Sequence, residues 1–118
     1  MRPLLTLALA LVLAACDGAK PPPALGGNPE RGKLLLRQFS CGACHEIPGV
    51  AGASAKVGPP LEGVSQRVYL AGVLPVTPEN MAAFIRAPSR FAPRTAMPDM
   101  GVTEEHARDM VAYLYTLK

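Results

Sequence analysis

The residues of this chain best placed to do chemistry form the run Cys41-Gly42-Ala43-Cys44-His45. Two thiols separated by two residues, with a histidine directly after the second, have the spacing of covalent c-type haem attachment. Each thiol adds to one vinyl group, leaving a thioether, and the adjacent imidazole supplies one axial nitrogen to the iron. Gly42 and Ala43 are small, so the backbone of the turn can approach a flat macrocycle closely. A plain disulfide beside an idle histidine uses the same residues differently.

Two rival chemistries draw on this run. A thiol–disulfide oxidoreductase would use Cys41 and Cys44 as its redox pair, but such a motif belongs to a βαβ setting that the sequence does not display. A structural metal site needs four ligands. Cys41, Cys44 and His45 are too adjacent to share one ion, and His106 stands alone.

The N-terminal segment bears on where this chemistry takes place. Arg2 is followed by an apolar run from Leu4 to Leu13 and then by Leu13-Ala14-Ala15-Cys16. A charged start, a short apolar stretch and small residues before a cleavage point describe an export signal. The run is too short to cross a hydrocarbon core, which needs about 20 residues. Leu-Ala-Ala-Cys resembles the lipobox of bacterial lipoproteins. That resemblance implies a signal peptide over residues 1–15 and a lipid on Cys16, placing the protein on the periplasmic side of the bacterial cytoplasmic membrane. With Cys16 lipidated and Cys41 and Cys44 on haem, none of the three cysteines is left for a disulfide, the usual staple of small exported domains.

Residues 16–27 are rich in proline and glycine without apolar periodicity and read as a tether between lipid and domain. Extended, the stretch after Cys16 spans at most about 35–40 Å. The formal charge of +3 falls to +2 once Arg2 leaves with the signal, and two haem propionates lower it further. Nothing here supports a nucleic-acid partner. No second C-x-x-C-H occurs, so one haem is expected.

From residue 28 onward the readable elements are helices. Asn28-Pro29-Glu30 combines a capping side chain, a proline at the first helical position and an acid at the positive end of the dipole. The helix it opens runs to about Gln38, with Leu34, Leu35 and Phe39 on its apolar side. Thr77-Pro78-Glu79 repeats this grammar ahead of Met81 to Ile85, and Pro88 ends that helix. Thr103-Glu104-Glu105 opens a last helix in which Met110, Val111, Tyr113, Leu114 and Leu117 keep helical spacing. Residues 57–65 and 87–102 read as loops, and no alternating run is long enough for a strand. With no tryptophan, so small a domain has a thin core of its own, and a buried macrocycle would fill its centre.

Taken in order, these pieces resemble a class I c-type cytochrome, a small all-α electron carrier. The resemblance rests on Gly32 ahead of C-x-x-C-H, on Gly58-Pro59-Pro60-Leu61-Glu62-Gly63 in place of G-P-x-L-x-G, on Met97-Pro98, and on Ala112-Tyr113-Leu114 in the last helix. It implies a cytochrome c-like fold over residues 28–118, with three to five helices around one covalent haem c. It implies further that the Pro59 carbonyl accepts the Nδ1 proton of His45, that Leu61 packs on the haem face, and that Arg67 and Tyr69 serve the propionates. Gly32 takes the place where the first helix crosses the last, near Tyr113. Phe84 departs from the family, where tyrosine or tryptophan is common and offers a polar handle.

For the sixth iron ligand, Met81 and Met110 lie in apolar helical stretches and read as core fillers. His106 falls beside Glu104 and Glu105 in a first helical turn and reads as solvated. The resemblance places the thioether in the loop holding Met97 and Met100. Pro98 biases Met97 to extended backbone and completes Thr-x-Met-Pro, so Met97 is the expected ligand and Met100 the alternative. His/Met ligation favours ferrous iron and fills both axial sites, which points to a one-electron carrier rather than an enzyme. Redox partners follow by class: a terminal oxidase, a quinol-cytochrome c oxidoreductase complex or a periplasmic dehydrogenase. Between Asn80 and Pro98 there is no acid but there are Arg86, Arg90 and Arg94, a positive rim suited to steering an acidic partner.

Overall fold

The computed structural model describes residues 22–118; the signal segment, Cys16 and the first part of the tether lie outside the described residues. Four helices carry the fold: α1 Pro29–Gln38, α2 Pro78–Arg86, α3 Pro88–Phe91 and α4 Glu104–Leu114. Three of them begin as their caps dictate. The side chains of Asn28, Thr77 and Thr103 accept from the amides of Arg31, Asn80 and His106 at 3.0, 3.1 and 3.2 Å, each satisfying a donor that helix geometry leaves orphaned.

α1 lies across α4, and the crossing is decided by Gly32. A Cβ built there would run into the carbonyl of Asp109 and stand 3.0 Å from the Met110 amide. Only a residue without a side chain lets the two backbones meet. The contact falls at Asp109–Met110, one turn before the Tyr113 region expected for it. Around this crossing Leu35, Leu36, Ala107, Met110, Val111 and Leu114 are buried together with Ile47, Val64, Leu70 and Met81.

The buried stripe of α1 is Gly32, Leu35, Leu36, joined by the half-buried Phe39, which is the i, i+3, i+4, i+7 set of one helix face. Leu34 falls off that stripe and is 66% exposed, so Leu36 replaces it in the expected core. Met81 and Met110 are buried as fillers should be. Pro88 does more than end α2: it occupies the first position of α3, where its missing N–H costs nothing. Phe91 at the end of α3 then packs on Phe84, ring centroids 6.4 Å apart.

A small antiparallel hairpin pairs Tyr69–Leu70 with Leu74–Pro75. Ahead of α1, residues Ala24–Gly26 form a single 3₁₀ turn, and Ala24 and Leu25 pack on the core. The folded body therefore begins inside the segment read as tether, four residues before Asn28.

Asp109 is the buried charged residue of the core, 3% exposed. One carboxylate oxygen accepts from the Asn28 amide at 2.8 Å, and the other pairs with the Arg31 guanidinium. Arg31 also reaches Glu105 at 2.7 Å. The N-terminus of α1 is thus tied to the middle of α4. Burial by itself would push the Asp109 carboxyl up, but the Asn28 amide and Arg31 outweigh it and hold it below the usual carboxylate range. A depressed folded value contributes stability above the unfolded value of about 3.9, lost as pH falls through the folded one. Asp109→Asn should therefore be less stable than wild type at pH 7, with the gap closing below pH ~4. Denaturation midpoints of both proteins from pH 7 to pH 2 check this; a gap independent of pH would refute it.

Candidate functional site

Phe39 ends α1, its amide bonding back to the Leu35 carbonyl at 2.8 Å. Ser40 then adopts a left-handed conformation, φ 56° and ψ 31°, uncommon for a residue with a side chain. This reversal launches the tight turn Cys41–Ala43, closed by the amides of Cys44 and His45, which both donate to the Cys41 carbonyl at 3.2 and 3.0 Å. The two cysteines thus share one turn. They are not joined to each other, and both are half-buried.

Burial, with a smaller contribution from neighbouring Cys44, pushes the Cys41 thiol above its ordinary value. A redox dithiol needs the opposite, a thiol lowered toward thiolate. The oxidoreductase alternative also lacks its setting, since among the described residues the only paired strands are antiparallel and two residues long.

The His45 ring is held from below by the loop after it. Nδ1 lies 2.7 Å from the Pro59 carbonyl oxygen. A carbonyl can only accept, so Nδ1 carries the proton, and in the neutral imidazole Nε2 is the nitrogen with the free lone pair. Gly58 makes room for this ring: a Cβ there would stand 2.5 Å from Cε1 and 2.8 Å from Nδ1. On either side, Gly58 donates to the Cys44 carbonyl at 2.7 Å and Leu61 to the Glu46 carbonyl at 2.9 Å. The loop is stitched to both neighbours of His45. Leu61 is half-buried against the core.

Other expected residues are placed as follows. Arg67 is half-buried and its guanidinium donates to the Pro60 carbonyl. Tyr69 is 56% exposed, paired across the hairpin with Pro75. Met97 is half-buried, its amide bonded to the Thr95 hydroxyl at 3.2 Å, whereas Met100 is 43% exposed. His106 is not solvated as expected. Its ring packs edge-on against Phe39 with centroids 5.7 Å apart, and its Nδ1 is buried without a partner among the described residues. The basic rim is also thinner than expected, because Arg86 lies 3.9 Å from Glu104 and shares a cavity of about 360 Å³ with Arg90 and Asp99.

One contact beside the site carries no signal in the sequence. The Tyr113 hydroxyl donates to the Pro48 carbonyl at 2.6 Å, fastening α4 to the loop that follows the cysteine–histidine turn.

Residues 29–118 match the family model described as cytochrome c. The chain belongs to the cytochrome c family. Its members are electron-transfer proteins bearing covalently bound haem c, and a single attachment motif gives this chain one. The residues present fit that group: two unjoined thiols on one turn, an imidazole fixed through Nδ1 with Nε2 available, and a glycine where a side chain would strike the ring. The chain is similar to cytochrome c oxidase subunit 2 of Alkalihalophilus pseudofirmus, 32% identical over 89 residues. That alignment takes in 75% of this chain but 25% of the relative, so the cytochrome spans about a quarter of the relative's length. It superimposes on cytochrome c2 of Rhodobacter sphaeroides with TM-score 0.54 at 22% identity, covering 77% of this chain and 96% of the other. The all-α cytochrome c fold is thereby established.

Proposed function

We propose that this cytochrome is a one-electron carrier with His/Met axial ligation, held by a lipid on Cys16 at the outer face of a bacterial cytoplasmic membrane. The observation that carries the reading is the His45–Pro59 contact beside two free cysteines. Haem c, when bound, supplies a ferric/ferrous couple that takes up or releases one electron. Cys41 and Cys44, which share one turn, would hold it through thioethers. Pro59 orients His45 and strengthens it as a donor by accepting its proton. Met97 would supply a thioether, a soft ligand that favours the less charged ferrous state. Arg67 and Tyr69 are the proposed donors to the propionates. If His45 and Met97 both hold the haem iron, no position is left on it for a substrate, and the chemistry the group would supply is electron transfer.

Similarity to a stretch of an oxidase subunit favours a terminal oxidase as partner class over a quinol-oxidising complex or a periplasmic dehydrogenase. Arg90 and Arg94, both exposed, would face an acidic docking surface and speed encounter.

His45→Ala and Cys16→Ala separate the two halves of this proposal. His45→Ala should abolish the low-spin haem spectrum and leave little holoprotein. Cys16→Ala, exported by a soluble signal, should keep its covalent haem through acid–acetone extraction but leave the membrane fraction. Loss of haem from the Cys16 variant would sink the division of roles.

A further inference from the structure

The contact between Arg67 and the Pro60 carbonyl has a consequence for the histidine on the other side of the loop. Pro59 and Pro60 have no N–H and both have φ locked near −65°. Between the bonded amides of Gly58 and Leu61, this diproline step therefore has no backbone donor to fix it, and ψ is its main freedom. Among the described residues, two side chains address it: His45 at the Pro59 carbonyl and Arg67 at the Pro60 carbonyl. Arg67 is itself set in place by the 3₁₀ turn Val64–Gln66, its amide donating to the Val64 carbonyl at 3.3 Å.

We propose that Arg67 is a positioning residue for His45, acting through the Pro59–Pro60 peptide. The proposal rests on the reading of His45 as an iron ligand. The two carbonyls belong to adjacent residues whose φ angles are fixed, so holding the Pro60 oxygen limits how far the Pro59 oxygen can swing. Arg67 clamps the far end of the lever and His45 bonds the near end. This role differs from charge compensation. It requires a donor aimed at the Pro60 carbonyl rather than at a carboxylate, and the planar guanidinium suits it because its donors are pre-organised.

The test measures how well the His45 Nδ1–H is protected. In ferrous holoprotein, its hydrogen exchange is read by nitrogen-resolved NMR for wild type, Arg67→Met and Arg67→Lys. Arg67→Met keeps the stem's packing and removes charge and donor; Arg67→Lys keeps the charge without the fork. Exchange should accelerate about tenfold in Arg67→Met, the scale of weakening one hydrogen bond, and by a smaller factor in Arg67→Lys. The sulfur–iron absorption should persist in both. Wild-type exchange in Arg67→Met overturns the proposal. So does a reduction potential that shifts in Arg67→Met with exchange unmoved, which assigns Arg67 to charge alone. If Arg67→Met does not accumulate, wild-type exchange in Arg67→Lys overturns it equally. Failure of the ligand reading is distinguishable, because His45→Ala would then retain a low-spin spectrum.

Discussion

Gly32→Ala should unfold this cytochrome at a temperature roughly 8–16 °C below wild type. Two effects oppose one another at this position. Alanine in a helix interior gains about 1 kcal/mol over glycine through the unfolded chain and helix propensity. Against this, the new methyl meets the Asp109 carbonyl of α4. Overpacking a core costs about 1–3 kcal/mol when side chains can shift. Here the obstacle is helix backbone, which cannot rotate aside, so the upper end, ~3 kcal/mol, applies. The net loss of about 2 kcal/mol corresponds to about 4–8 °C per kcal/mol for a domain of this size. Separating α1 from α4 would also disturb the Asn28 and Arg31 contacts to Asp109, adding to the loss. Leu34→Ala, on the exposed side of the same helix, should stay within about 0.5 kcal/mol of wild type. Calorimetry on the two variants decides the matter, and equal midpoints would mean that the helices cross elsewhere.

The contrast between Gly32 and Leu34 also marks where the sequence could be read and where it could not. Helix starts were legible because their signals are local: Asn28-Pro29, Thr77-Pro78 and Thr103-Glu104 each place a cap and an acidic or proline first turn side by side. Faces were less legible. Three consecutive leucines, 34 to 36, leave the phase of α1 open until Gly32 fixes which side meets α4. Pro88 is ambiguous for a similar reason, since the residue that stops one helix is equally suited to start another. The two-residue strands at 69–70 and 74–75 are too short for alternation to register. Asp109 lies between Arg108 and Met110 in a helix rich in charge, and nothing nearby in the chain announces that its partners, Asn28 and Arg31, come from the far end of the domain. His106 is deceptive in the same way, its neighbours Glu104 and Glu105 pointing to solvent while Phe39 covers its ring.

The candidate site divides along the same line. Cys41, Cys44 and His45 are contiguous, so their chemistry is written in spacing alone. Pro59 could be reached only through resemblance, and the geometry adds what spacing cannot: a carbonyl 2.7 Å from Nδ1 and a glycine that clears the ring. Arg67 was expected to face a propionate, and its bond to Pro60 depends on how the turn at 64–66 folds back over the diproline. That return path carries no sequence signature.

If Met97 is the iron ligand, as proposed, Met97→Ala should remove the sulfur–iron bond and lower the reduction potential by roughly 0.1–0.3 V, a part of the ~0.8 V that axial ligation spans. The thioether favours ferrous iron, so its removal stabilises the ferric state. The open position should then take exogenous imidazole readily, and the weak long-wavelength charge-transfer band of the ferric protein should vanish. Met100→Ala should leave band and potential in place. The two methionines differ in setting as well as in sequence context. Met97 is half-buried and its backbone is fixed by the Thr95 hydroxyl, whereas Met100 is exposed beside the turn that Asp99 closes onto the Gly101 amide at 2.9 Å. A side chain that serves as a ligand needs the first environment. Loss of the band in Met100→Ala instead would move the ligand three residues along the loop. Loss in neither variant would point to another side chain, and His106, whose Nδ1 has no partner among the described residues, would then be the next to replace.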